Sequence, residues 1–123
     1  MLLFQVTDYS LQMTQLHETY GDTIVALAQN AVSTGEAINR PIWWLDPSDE
    51  DALATDSEFL LGDDLLVAPV LEEGATARDI YLPRGTWRDE ASDSHEEYTG
   101  PLWLTNYQAD LWTLPYFTRI AAA

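Results

Sequence analysis

The hydrophobic period of this chain changes once, and that change limits the fold more than any other feature. Up to about residue 35 the apolar residues recur at helical spacing; from Phe59 onward they fall into short runs cut by Gly and Pro, with no helical period. Helices followed by strands point to an α+β arrangement. In the first zone Thr7, Asp8 or Ser10 could cap a helix running to about Tyr20, with Gly21 as its stop and Asp22 as the cap of a second. Ile24, Leu27, Ala28, Ala31 and Val32 form the stripe of that second helix, and Gly35 stands where a C-terminal glycine belongs. A helix with such a stripe must bury it against something.

Between the zones, Ile42-Trp43-Trp44-Leu45 is apolar without alternation. That suits a strand over Ile38 to Leu45 buried on both faces, as in a parallel sheet, with Pro41 meaning either that ladder bonding starts after it or that the strand is an edge. Helix followed by buried strand is the rhythm of an α/β barrel. Residues 46–58 are acidic and polar. Ser48, with Asp51 three positions on, resembles a helix-capping arrangement. A calcium loop is the sharper reading of the same acids, but their spacing does not match the twelve-residue loop.

In the second zone Leu65–Leu71, Asp79–Pro83, Thr86–Asp89, Glu96–Leu104, Leu111–Leu114 and Tyr116–Ile120 are strand candidates, and Arg84-Gly85 reads as a hairpin turn. They predict a small antiparallel sheet or sandwich. The expected boundary lies between residues 55 and 64, giving segments 1–58 and 59–123.

Length and charge narrow the function. At 123 residues the chain holds one ordinary domain, or a small domain plus a remnant; a (β/α)₈ barrel needs about 250 residues. With 46% apolar and 11% aromatic residues it has enough to build a core. Twenty-one acids face five basic residues, all arginine, for a net charge of −16. Such a surface repels phosphate backbones and anionic headgroups, so nucleic acid and membrane surfaces are poor partners. Without lysine there is no Schiff base, and without cysteine no disulfide, thiolate zinc site or cysteine nucleophile. Met1-Leu2-Leu3-Phe4 has no basic flank, and Gln5 and Asp8 break it, so it reads neither as a signal peptide nor as a membrane span.

No nucleophile elbow, phosphate loop or metal-ligand pair occurs. His17 falls in a helix and His95 in an acidic loop, and both read as surface residues. Paired carboxylates about 5–5.5 Å apart would serve a retaining glycosidase, but with so many acids some pair meets that distance by chance. Trp43, Trp44, Trp87, Trp103 and Trp112 could be sugar platforms; all five are expected in the core instead.

Three blocks decide the affinity of the chain. They are Gly35-Glu36-Ala37-Ile38-Asn39-Arg40-Pro41-Ile42-Trp43-Trp44, then Asp56-Ser57-Glu58-Phe59-Leu60-Leu61-Gly62-Asp63-Asp64-Leu65-Leu66-Val67-Ala68-Pro69-Val70, then Tyr81-Leu82-Pro83-Arg84-Gly85-Thr86-Trp87-Arg88-Asp89. In this order and spacing they resemble glycoside hydrolase family 31, the family of many α-glucosidases and α-xylosidases. Asp46-Pro47, Glu72-Glu73-Gly74-Ala75 and Gly100-Pro101-Leu102-Trp103-Leu104 look most like its myogenesis-regulating glycosidase branch. Arg88 departs from the tyrosine of many members, which counts against a typical α-glucosidase.

The resemblance implies a layout: residues 1–35 as helices before the last barrel strand, Arg40 to Leu45 as that strand, and a proximal C-terminal β-domain from about residue 60. It implies a carbohydrate substrate for the full-length enzyme only. The family's catalytic aspartates lie on earlier barrel strands, so no catalytic, cofactor or metal residue is assigned in this chain and no cofactor is expected. The branch suggests the secretory pathway. The ending Ala121-Ala122-Ala123 looks truncated. An incomplete barrel segment would leave strand 40–45 with an open edge and favour self-association. The alternative is a non-catalytic β-module binding sugars or a protein, which an exposed row of aromatics would favour.

Overall fold

The computed structural model describes residues 2–122. They divide into two compact units, one ending at Ile38 and the other starting at Asn39.

The first unit is two helices, α1 (Leu2–Thr19) and α2 (Gly21–Thr34). Thr7, Asp8 and Ser10 lie inside α1 rather than capping it, and Gly21 opens α2 instead of stopping α1. The N-cap of α2 is Tyr20, without a side-chain bond, and Asp22 sits in the first turn, where its charge complements the helix dipole. Gly35 ends α2 as expected: its φ is +77°, and its N–H reaches the carbonyl of Ala31. The stripe of α2 is only half-buried, and Val32 is exposed.

The second unit is built on a six-stranded, wholly antiparallel sheet: β1 (Asn39–Pro41), β2 (Phe59–Leu61), β3 (Leu65–Val67), β4 (Ala77–Asp89), β5 (Glu97–Gln108) and β6 (Tyr116–Ala121), in the order β1-β2-β3-β6-β4-β5. The expected parallel, doubly buried strand over Ile38–Leu45 is therefore not found. β1 lies at the sheet edge and pairs only with β2, Arg40 opposite Leu60. Residues Ile42–Leu45 coil into a 3₁₀ turn that buries Ile42. An unbroken apolar run fits a buried turn as well as a buried strand, and Pro41 already withholds a ladder donor. The short helix α3 (Glu50–Ala54) is capped by Asp49, not Ser48: Asp49 Oδ1 accepts from the N–H groups of Asp51 and Ala52.

Arg84-Gly85 is not a turn. β4 runs straight through it, and the chain reverses at 90–96 instead. The register against β5 slips between Leu82 and Gly85, so the pair marks a bulge. Leu111–Leu114 forms a turn rather than a strand. The core gathers Ile42, Leu60, Leu66, Ile80, Trp87 and Phe117, all without exposed surface.

Candidate functional site

Besides the buried Asp89, which accepts from Tyr107 and from the Ala91 and Ser92 N–H groups, two places in the second unit carry polar chemistry. The first is internal. Glu58, the residue before β2, is carried into the core, and its side chain is wholly buried. Its Oε1 accepts the Tyr81 N–H at 2.7 Å and an Arg78 N–H at 3.3 Å, while Oε2 meets no partner. Arg78 also donates to the carbonyls of Ser57 and Pro69 and to Ser57 Oγ, fixing the strands around it. Burial raises the Glu58 carboxyl to about 7, against the weaker opposing pulls of the Tyr81 N–H and the Arg78 charge. This is a structural knot, closed to any substrate-sized molecule.

The second is a surface groove of about 500 Å³ where α3, the loop before it and the β4–β5 hairpin meet. Register sets its floor. Tyr81 on β4 lies opposite Trp103 on β5, and their rings tilt together at 5.0 Å. The Tyr81 hydroxyl donates to Asp49 Oδ2 at 2.6 Å. That bond and burial push its pKa upward, burial first. The loop supplies Asp46, whose Oδ1 accepts from both Ser48 Oγ (2.6 Å) and Ser48 N (3.1 Å); those bonds lower its pKa and keep it ionised. Arg84, Pro101 and Leu102 complete the lining.

The residues weighed in the sequence do not converge. His17 is exposed on α1. His95 is exposed in the 90–96 turn, with Nδ1 3.2 Å from the carbonyl of Asp89 and 3.6 Å from Glu90. Among the described residues, no group of acids and histidines is arranged to hold a metal ion. Of the tryptophans, only Trp87 is buried completely, its indole N–H donating to the Pro83 carbonyl at 2.9 Å. Trp43 is half-buried against the core. Trp44 lies at the surface under the Arg40 guanidinium, 5.2 Å from it. Trp103 and Trp112, expected in the core, are each 45% exposed. Trp103 is on β5, which has a neighbour on one side only. Tyr81, Arg84 and Glu58 carried no functional signal in the sequence: Glu58 closes an acidic stretch, Tyr81 sits in an apolar run and Arg84 reads as part of a turn, and only the fold shows what they face.

Comparison with known proteins fits this geometry. Residues 35–122 match the family model described as the glycosyl hydrolase family 31 C-terminal domain. This chain belongs to glycoside hydrolase family 31. A family 31 relative, the myogenesis-regulating glycosidase of Mus musculus, is 47% identical over 95 residues, 77% of this chain and 13% of the relative. The SITS-binding protein of Tetronarce californica is 35% identical over 104 residues, 84% of this chain and 15% of its own length. The chain thus spans only 13–15% of these relatives. Among solved structures, a family 31 α-xylosidase from a soil metagenome, complexed with xylose, superposes with a TM-score of 0.79 at 32% identity, covering 89% of this chain and 16% of that one. A family 31 dextranase of Flavobacterium johnsoniae, complexed with glucose, gives 0.73 at 36% identity, covering 79% and 12%.

Proposed function

We propose that this chain is the C-terminal portion of a retaining α-glycosidase hydrolysing O-glycosyl bonds: the last helices of its catalytic barrel, then the proximal C-terminal β-domain, without the catalytic aspartates. The observation that carries this is the match of residues 35–122 to a family 31 C-terminal domain, at about one seventh of the relatives' length. The carboxylate geometry supports the second half of the reading. Glu58 is sealed and paired with Arg78. Asp49 has both oxygens engaged, by the α3 N-terminus and by Tyr81. Asp46 is committed to Ser48, in a groove too open to raise the pKa of a general acid.

On this reading the carbohydrate substrate meets residues of the longer enzyme, in the secretory pathway that the branch suggests. Two measurements test it. The purified chain should release no p-nitrophenol from aryl α-glucosides or α-galactosides above a heat-inactivated control; clear turnover would overturn it. A chimera in which residues 35–122 replace the matched domain of the mouse glycosidase should fold and act as that enzyme does. A chimera that fails to fold would sink the placement.

A further inference from the structure

We propose that the Trp103 groove is a docking site for a neutral saccharide. The argument starts from the ring. Trp103 is 45% exposed yet fixed, because Tyr81 backs it at 5.0 Å and is itself held by Asp49. A rigid, half-exposed indole offers a flat apolar face to the C–H face of a pyranose, at little cost in side-chain entropy. Pro101 and Leu102 extend that face along β5. The volume of about 500 Å³ suits one to three sugar rings.

Charge selects the ligand class. Asp46, Asp49, Asp51 and Arg84 line the groove, and the Arg84 charge is felt at Asp46. An anion is repelled by three carboxylates against one guanidinium. A cation meets the Arg84 charge in the same groove, and finds Asp46 already bonded to Ser48 and Asp49 to the α3 N-terminus and Tyr81. A neutral polyol suffers neither penalty: its hydroxyls donate to remaining carboxylate lone pairs and accept from Arg84. Arg84 is available for this. Arg40, Arg78, Arg88 and Arg119 are ion-paired with Asp63, Glu58, Glu90 and Asp64, whereas Arg84 is in direct ion-pair contact with no acid among the described residues and only its longer-range charge acts on Asp46.

The test is a titration of the whole chain, followed by nitrogen–proton correlation NMR. Maltotriose and melibiose are added separately to 20 mM, and calcium chloride in a third series. The expected result is a saturable shift of the Trp103 indole N–H and the Leu102 amide with a saccharide, with a millimolar Kd. Trp103→Ala should weaken binding at least tenfold, and Trp112→Ala, which alters an equally exposed tryptophan elsewhere, should leave it unchanged. No shift with either saccharide, shifts with calcium alone, or equal loss in both variants would overturn the proposal. If Trp103→Ala fails to fold, Arg84→Ala decides: at least threefold weaker binding supports the groove, and unchanged binding overturns it. Because binding is read on the chain itself, its failure leaves the chimera experiment untouched, and a failed chimera leaves the groove standing.

Discussion

Glu58 is the residue whose chemistry is most altered by the fold. An ordinary glutamate loses its proton near 4.5, whereas this one holds it to about 7, chiefly because burial penalises the charge. The folded chain therefore binds a proton that the unfolded chain has already released between those values. Stability contributed by the protonated form is complete below about 4.5 and is lost as pH rises to 7, on the order of 3 kcal/mol. Glu58→Gln keeps the shape and the acceptor for Tyr81 N–H but cannot ionise. Urea melts should show the variant gaining on the parent between pH 5 and pH 8; parallel curves would mean that Glu58 stays ionised throughout. Trp87 is the plainer case. With no exposed surface and its N–H satisfied by Pro83, its replacement by alanine should cost about 3–5 kcal/mol in the same assay. Trp87 was legible as core from its place in a strand candidate, although the turn expected beside it is a bulge. Trp103 was not, because alternation names a face but does not say whether another strand will cover it.

At the scale of elements, β4 is the organising strand. It pairs with β5 along most of its length and with β6 from Thr86 to Asp89. The crossing depends on Gly85. Its φ is +132°, and a Cβ there would lie 2.9 Å from the Ala121 carbonyl and 3.2 Å from the Arg119 side chain. Gly85→Ala must therefore strain the backbone and push β6 away. We expect a loss of at least about 2 kcal/mol, and faster hydrogen exchange at β6 amides before those of β3. Gly74→Ala, at another positive φ but with open space around it, should cost less; equal losses would show that β6 proximity is irrelevant. In the sequence, Arg84-Gly85 carries the dipeptide chemistry of a turn, and a bulge asks for the same left-handed freedom. The two differ only in whether the strand continues, which Trp87 packing into the core decides. The 3₁₀ turn at Ile42–Leu45 escaped for a related reason: four apolar residues in a row have no period to read.

At the scale of the whole molecule, the single change of hydrophobic period was enough to foresee helices followed by an antiparallel sheet, and the three motif blocks were enough to place the family. The sequence did not reveal that β1 joins the sheet, because a three-residue edge strand carries little pattern of its own. The units also differ in what holds them. The second has a continuous core and buried hydrogen bonds. In the first, α2 buries no residue, and Val6, Leu11, Val25 and Val32 are exposed. Helices of 18 and 14 residues gain little from propensity alone and rely on covering their apolar faces. Such a surface tends to find a partner, and a second copy of the chain is always present. A charge of −16 opposes that association, but salt screens it, with a Debye length of about 8 Å at physiological ionic strength. Sedimentation across a salt series should therefore show self-association that rises with salt. Hydrogen exchange on the same samples should show the amides of 24–34 opening faster than those of β3 and β4. A strictly monomeric species at every salt, with those helix amides as protected as the strands, would mean that residues 2–38 need no cover, and would remove the main physical ground for reading them as part of a larger barrel.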